Sequence, residues 1–176
     1  MAEKLSSEEL MELGNQAEKN EDFKGAMKYY QKAAEAGNTN ALASIGMLYQ
    51  YGEGVEQSAA TALQWFKKIV DNGDMDGWWL MGSAYSDMEN FPKAVECYEK
   101  AIELDCGAKY FAMYDLAGCY QYGFGKKKNH VKALNCINRL QNMMCHMLWA
   151  SWGILIALVV GSQRICQKQL NAIKRL

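Results

Sequence analysis

Proline and histidine are scarce in this chain of 176 residues, which contains one proline and two histidines. Proline is the residue that most strongly interrupts a helix, so its scarcity leaves long helical stretches unbroken. Histidine is a frequent general base and metal ligand, and neither His130 nor His146 has a partner at a spacing typical of either role. We therefore expect no catalytic site, no bound metal and no cofactor, and a protein that is not an enzyme.

We also expect no secretory signal, because the N-terminus MAEKLSSEELMEL is acidic and has no apolar run. We expect a reducing, cytoplasmic location, in which the six cysteines are free thiols that pack as small apolar residues. Cys97 and Cys106 are nine residues apart, as are Cys136 and Cys145. Because the two spacings are equal, the alternative that these cysteines form disulfide bridges stays open.

Acidic residues are nearly absent from the C-terminal part of the chain. Residues 108–176 contain 10 Lys/Arg and only Asp115, whereas residues 1–107 contain 9 Lys/Arg and 19 Asp/Glu. The two parts have formal charges of −10 and +9, a polarity that can steer a charged partner but does not determine the fold. We interpret the basic run 126–128 as a solvated turn and expect no nucleic-acid partner, because the acidic part would repel phosphates.

One hexapeptide occurs almost unchanged at two places, as YQYGEG at residues 49–54 and YQYGFG at residues 120–125. Matching alanines stand eight residues before and thirteen residues after the first tyrosine of each copy. The chain is also rich in Ala, Leu, Met, Glu and Lys, which favour helices. These features indicate an all-α protein that contains an internal repeat.

The repeat extends to four copies of one pattern, in which an apolar residue, a small residue and in most copies an aromatic residue precede a loop and then Ala-x-x-x-aromatic or aliphatic. Spacings of three and four place these residues on one helix face, so each copy predicts a hairpin of two helices. The predicted copies are residues 8–37, 40–73, 76–106 and 111–141. Their small residues are Gly14, Gly46, Gly82 and Ala117, which we expect to lie opposite Ala26, Ala62, Ala94 and Ala133.

This pattern resembles the tetratricopeptide superfamily. Copies two and four, with GMLYQYGEGVEQSAATALQWFKK and AGCYQYGFGKKKNHVKALNCINR, are similar to its Sel-one-like branch, while copies one and three lack four loop residues and resemble ordinary tetratricopeptide units. The resemblance implies a right-handed α-solenoid over residues 1–141, in which neighbouring hairpins stack to bury a continuous core. We expect the loop glycines of the hexapeptides to take positive φ.

Residues 142–176 do not follow the pattern. No Asp, Glu, Lys or Arg occurs from residue 140 to residue 163, and the most apolar part, residues 147–161, has a length between those of a buried helix and a membrane span. We predict a final apolar helix with a basic tail, docked on the solenoid or forming a homodimer. The alternative is a membrane-associated adaptor anchored through residues 147–161.

The family resemblance implies that the first helix of each hairpin lines a concave, partner-binding face. The predicted binding positions are Asn15, Glu18, Lys19, Met47, Gln50, Tyr51, Asp76, Trp79, Ser83, Asp87, Tyr114, Gln121 and Tyr122. Aromatic rings with interleaved amides and hydroxyls suit a peptide groove, although some of the rings could instead pack between helices. We expect a non-enzymatic scaffold for a protein or peptide partner, with the cysteine-rich hydrolases of the Sel-one-like branch as a distant alternative.

Overall fold

The structure, a computed structural model, describes the backbone of residues 5–151 and the side chains of residues 5–142. Within these residues the chain forms α-helices and no β-strand. The helices are α1 (Ser7–Lys19), α2 (Phe23–Glu35), α3 (Thr39–Tyr51), α4 (Ala59–Asp71), α5 (Gly77–Asp87), α6 (Phe91–Glu103), α7 (Lys109–Tyr122) and α8 (His130–Ser151).

Six helices pair in chain order into three hairpins, which we call repeats 1 to 3: α1 with α2, α3 with α4, and α5 with α6. Helix α7 and the start of α8 form repeat 4, in which Ala133 of α8 belongs to the same buried cluster as Leu116 and Tyr120 of α7. The second helix of each of repeats 1 to 3 also packs on the first helix of the following repeat. This arrangement confirms the predicted all-α solenoid. It also confirms the two loop lengths, because three residues separate the helices of repeats 1 and 3 whereas seven separate those of repeats 2 and 4.

The chain divides into two compact parts, Met1–Ile137 and Asn138–Leu176. Helix α8 is continuous through residues 141 and 142, where the sequence predicts a domain boundary. That boundary stays a prediction, as do the docked helix, the homodimer and the membrane anchor, since residues 152–176 lie outside the described part of the chain. In the described residues, no helix is both long and apolar enough to cross a membrane.

Local sequence explains where the helices begin. Ser6 and Glu9 form a capping box at α1, in which each side chain accepts a hydrogen bond from the backbone N–H of the other. Ser58 caps α4 by accepting the backbone N–H of Thr61 at 3.1 Å. The single proline, Pro92, lies in the first turn of α6, where its missing N–H costs no helical hydrogen bond.

The small residues of the first helices make room for aromatic rings rather than for the alanines that the sequence suggested. A Cβ atom added at any of three glycines would lie closer than 3.0 Å to a ring of the second helix of the same hairpin. The pairs are Gly14 with Tyr30, Gly46 with Phe66, and Gly82 with Tyr98. Because each ring is buried against its glycine, the glycine sets how closely the two helices approach.

The repeated hexapeptide forms the end of a first helix and the start of the long loop. Gly52 and Gly123 end α3 and α7 in the left-handed conformation, with φ of 76° and 85°. Gly54 and Gly125 follow with φ of 72° and 67°. The prediction of positive φ at these four positions is therefore confirmed, and it explains why glycine occurs at both places in each copy.

The second glycine of each hexapeptide also contacts the preceding repeat. A Cβ atom at Gly54 would clash with Phe23, the first residue of α2, and one at Gly125 would clash with the backbone of Phe91, the first residue of α6. The hexapeptide thus joins consecutive repeats as well as the two helices of one hairpin.

Lysines in the second copy of the loop do not change this packing. Lys126 occupies the position of Val55 in the first copy, and its ammonium group contacts Glu99 Oε1 of α6 at 2.5 Å. Tyr120 Oη also donates to this carboxylate, at 3.3 Å. The half-buried Val55 of repeat 2 is thus replaced in repeat 4 by a lysine that forms an ion pair with Glu99 of the preceding repeat.

Candidate partner-binding surface

Apart from Asp76, the predicted binding residues fall into four positions of the first helices, counted from the small residue. The residues one after it are Asn15, Met47, Ser83 and Gly118; four after it, Glu18, Gln50, Ser86 and Gln121; five after it, Lys19, Tyr51, Asp87 and Tyr122; and three before it, Met11, Ala43, Trp79 and Tyr114. Four of these sixteen residues were not predicted as binding positions: Met11, Ala43, Ser86 and Gly118. Side chains at these positions lie on one side of each helix. The same position has very different surroundings in different repeats.

Gln50 is the most buried of the predicted residues, and it links repeats 2 and 3. Its side chain is 2% exposed, and Nε2 donates to Ser83 Oγ at 3.0 Å and to Asp87 Oδ2 at 2.5 Å. The backbone oxygen of Gln50 accepts Nε2 of Gln57 from the loop at 2.9 Å. We call Gln50, Ser83 and Asp87 the polar bridge. At this junction, the three predicted binding residues are joined to one another by hydrogen bonds.

In repeat 1 the predicted residues hold a buried tyrosine. Tyr30 Oη donates to Glu18 Oε2 at 2.5 Å and lies 3.0 Å from Asn15 Oδ1. Burial, followed by the hydrogen bond to Glu18, raises the pKa of Tyr30, so the phenol stays protonated as the donor. Met47 and Tyr51 of repeat 2 are by contrast exposed to solvent.

Trp79 packs between repeats 3 and 4. Its indole N–H donates to Asp115 Oδ2 at 2.8 Å, and its ring lies 5.0 Å from the ring of Phe111, between centroids. Nearby, Asp76 Oδ1 accepts the backbone N–H of Ala108 at 2.8 Å. Trp79 and Asp76 thus connect α5 and its N-terminus to repeat 4. For Trp79, this is the packing between helices that the sequence analysis gave as the alternative to partner binding.

The remaining predicted residues, Tyr114, Gln121 and Tyr122, surround an open cleft of about 300 Å³ at the junction of repeats 3 and 4. Tyr114 and Tyr122 are 72% and 64% exposed. Gly118 lies midway between them on α7, and a Cβ atom there would meet no atom within 4 Å. The other lining residues are Ser86, Tyr98, Asp115, Ala117, Cys119, Phe124 and Ile137.

Aromatic contacts hold one wall of the cleft. Phe124, from the loop after α7, stacks on Phe91 with a centroid distance of 4.6 Å and an interplanar angle of 17°. The ring of Tyr122 lies 5.8 Å from that of Phe124. The exposed Tyr122 ring is therefore supported by a ring that is itself packed on the preceding repeat.

The charge of the cleft comes from Asp115. Burial raises the pKa of this carboxyl, and the hydrogen bond from Trp79 opposes the effect. Burial, and then the charges of Asp115 and Asp87, raise the pKa of the Tyr98 hydroxyl. None of the lining residues is a lysine, arginine or histidine. The cleft consequently combines exposed rings with one carboxylate that has no cationic neighbour in its lining.

Sequence reasoning missed Asp115, Ser86, Gly118 and Phe124. Two signals could have found Gly118 and Ser86. Phe111, Tyr114, Gly118 and Tyr122 are spaced by three, four and four residues, which places them along one stripe of a helix. Ser86 also occupies the position of Gln50 and Gln121, so alignment of the four copies includes it in the surface.

The described residues offer little for catalysis. They contain no group of three His, Cys, Asp or Glu side chains placed to hold a metal ion. Cys97, Cys106 and Cys119 are buried free thiols, and Cys97 and Cys106 are not bridged to each other. Burial raises the pKa of Cys97 and of Cys106 to about 11, which keeps both thiols protonated and poorly nucleophilic at neutral pH. Cys145 and Cys166 lie outside the residues whose side chains are described.

Comparison with known families matches all four repeats. The Sel1 repeat model, the Sel-one-like repeat predicted above, matches residues 4–38, 39–74 and 111–139, and the tetratricopeptide repeat model matches residues 78–105. The chain belongs to the Sel1 repeat family. The prediction that copy one is an ordinary tetratricopeptide unit is wrong, since the Sel1 model matches it despite its short loop.

Curated relatives share this repeat region. The ERAD-associated E3 ubiquitin-protein ligase component HRD3B of Arabidopsis thaliana is 34% identical over 116 residues, which are 65% of this chain and 18% of that protein. The component HRD3A of the same plant is 37% identical over 73 residues, which are 41% of this chain and 10% of that protein. This Sel1 repeat chain therefore spans less than a fifth of the length of these relatives.

Solved structures show the same fold. A Sel1 repeat protein from Oxalobacter formigenes aligns with a TM-score of 0.60 and 23% identity, over 76% of this chain and 56% of that one. The antigen c5321 of uropathogenic Escherichia coli, which has an SLR fold, aligns with a TM-score of 0.61 and 26% identity, over 77% and 30%. MamA aligns with a TM-score of 0.58 and 21% identity, over 96% and 88%.

Proposed function

We propose that this Sel1 repeat protein is a non-enzymatic scaffold that binds a segment of a partner protein on the first-helix side of the solenoid, with the cleft between repeats 3 and 4 as the main contact. The observation that carries the proposal is the exposure of Tyr114, Tyr122 and Phe124 around a single cleft. Exposed aromatic rings that border one concavity are typical of the residues that contribute most to protein interfaces.

The remaining predicted residues fit this proposal unequally. Met47 and Tyr51 are exposed and extend the surface toward repeat 2, whereas Gln50, Ser83 and Asp87 support it through the polar bridge. A rigid wall of this kind favours binding, since little side-chain freedom is lost when the partner docks. The relatives named as components of a ubiquitin ligase support a role within a protein assembly, and that role is part of the proposal.

Selection of peptides on the full chain tests the proposal. Random 12-residue peptides displayed on phage would be selected against the protein, and the enriched peptides synthesised and measured by fluorescence polarisation. We expect Tyr122→Ala to weaken their binding about tenfold or more, as truncation of an aromatic anchor commonly does.

The matched control is Leu134→Ala, which removes an exposed apolar side chain from α8. It should leave the peptide affinity unchanged. Equal losses for the two variants, or enriched peptides whose binding ignores Tyr122 and Tyr114, would remove the cleft from the proposed function.

A further inference from the structure

We infer that the cleft between repeats 3 and 4 binds the guanidinium group of an arginine in the partner segment, with Asp115 as its counter-ion and the tyrosines of α7 as stacking surfaces. This inference rests on the proposed function, because it specifies the chemistry of the segment that the scaffold binds. Its support comes from the charge, the rings and the space of the cleft.

The charge of the cleft favours a cation. Asp115 is the only carboxylate among the lining residues, and its hydrogen-bond donor is the neutral indole of Trp79 at 2.8 Å. A carboxylate has about four acceptor sites, so one indole leaves most of them unused. An acidic ligand would be repelled by Asp115, and an aliphatic one would remove water from its oxygens without replacing the hydrogen bonds.

The rings suit a flat cation better than a compact one. Tyr114 and Tyr122 lie four residues before and after Gly118, so they flank a gap that has no side chain on α7. A guanidinium group can stack on a tyrosine face while its N–H groups bond a carboxylate in a fork. A lysine ammonium is a compact, strongly hydrated charge that stacks less well and cannot form this fork.

Polar residues of the cleft complement the cation. The lining residues include Ser86 and Tyr98, which carry hydroxyl groups, and Gln121, which carries an amide. Burial, and after it the charges of Asp115, Cys119 and Asp87, raise the pKa of the Tyr98 hydroxyl. The carboxylate of Asp115 is thus a local negative charge in a C-terminal part of the chain that is basic overall.

A titration with two blocked amino acids, whose termini carry no charge, tests the inference. The full-length protein, labelled with ¹⁵N, would be titrated with acetyl-arginine-amide and, separately, with acetyl-citrulline-amide, which has the same shape but no charge. The indole N–H signal of Trp79, assigned by its loss in Trp79→Phe, reports on Asp115 directly, and the backbone N–H of Gly118 reports on the floor of the cleft.

We expect the arginine probe to shift both signals with a dissociation constant about tenfold lower than that of the citrulline probe, because a charged hydrogen-bonded pair is formed. Asp115→Asn, whose amide oxygen can still accept the Trp79 N–H, should abolish this preference. Asp71→Asn, which removes an exposed carboxylate of α4, should not.

A second variant tests the inference independently of charge. Gly118→Leu fills the gap between the tyrosines without removing Asp115, and it should eliminate the arginine-induced shift of the Trp79 indole. Equal affinities for arginine and citrulline, or full binding to Asp115→Asn, would overturn the inference. A Trp79 indole signal that the added arginine probe does not shift would also overturn it.

The two proposals fail in different ways. If the selected peptides lose affinity in Tyr122→Ala but show no arginine preference and bind Asp115→Asn normally, the scaffold function stands and the arginine inference is wrong. If the arginine probe binds but no peptide depends on Tyr122, the cleft is an arginine site without the proposed scaffold role.

Discussion

The junction between repeats 2 and 3 is closed by polar contacts, whereas the equivalent junction between repeats 3 and 4 is open. At the first junction, Gln50 donates to Ser83 and Asp87. At the second junction the residues at the same three positions are Ser86, Gly118 and Tyr122, and all three line the cleft. The helices follow the same order at both junctions. The difference between the two junctions lies in the residues at these three positions.

The difference shows how a repeat protein can gain a site without changing its core. Both junctions have a buried ring from a second helix in their core, Phe66 at one and Tyr98 at the other. At the second junction, the first helices are joined by the hydrogen bond from Trp79 to Asp115 instead of by the polar bridge. The cleft therefore depends on which short and long side chains meet at the surface of the junction.

The largest contrast is expected between two glycines of first helices. Gly82→Leu should destabilise the protein by about 2–3 kcal/mol, because its Cβ alone would overlap the buried ring of Tyr98. Gly118→Leu should change stability by less than about 1 kcal/mol, since open space surrounds that Cβ and leucine favours the helix. Urea unfolding followed by circular dichroism measures both. Similar losses would contradict the description of an open junction.

Removal of the polar bridge should have the next largest effect. Gln50→Ala removes two side-chain hydrogen bonds of a buried residue and should cost about 1–3 kcal/mol of unfolding free energy. Gln121→Ala, at the same position of repeat 4 but exposed, should cost less than about 0.5 kcal/mol. The comparison fails if Gln121→Ala is the more damaging substitution in chemical denaturation.

Loss of the hydrogen bond from Trp79 to Asp115, at the junction between repeats 3 and 4, should lower the unfolding free energy by a smaller amount. Trp79→Phe keeps a ring near Phe111 but removes the donor to Asp115, and we expect a loss of about 1 kcal/mol. Trp78→Phe controls for ring size at the neighbouring position. A melting temperature lowered equally by both changes would show that the indole N–H contributes nothing specific.

The smallest expected effect is a change with pH in the stability that Asp115 contributes. Because burial raises the pKa of Asp115, the folded protein holds this proton to higher pH than the unfolded chain does. The contribution of Asp115 to stability is therefore greatest at low pH and falls as pH rises through the folded pKa. The melting temperature of Asp115→Asn relative to the wild type should therefore rise as the pH increases above about 4, the ordinary pKa of an aspartate. A difference that does not change with pH would contradict this assignment.

The fold was predictable because the repeated features are local. Gly46 allows the close approach of the two helices of its hairpin, and Gly14 and Gly82 recur at its position. Glycines with positive φ shape the long loop of repeat 2, and they recur in repeat 4. The partners of the small residues were mistaken, since spacing along the chain does not show that Tyr30 rather than Ala26 fills the space beside Gly14. That detail depends on how far a ring extends across the hairpin.

The surface was less predictable because its properties arise between repeats. Sequence position placed Gln50 and Tyr122 on one face, but it did not show that Gln50 bonds to Ser83 and Asp87 while Tyr122 stays exposed. Asp115 was overlooked because its importance comes from Trp79, which is 36 residues away in sequence. Contacts of this kind require the stacking geometry of the solenoid.

We propose that the cleft binds a partner because the polar bridge is missing at the second junction, and introducing the bridge residues there tests this most directly. Ser86→Gln with Gly118→Ser restores two of the three bridge residues and retains Tyr114, Tyr122 and Asp115. Fluorescence polarisation would compare the binding of the selected peptides to this double variant and to the wild type. We predict an affinity at least about tenfold weaker with an undiminished melting temperature. Unchanged affinity in a folded double variant would contradict the account.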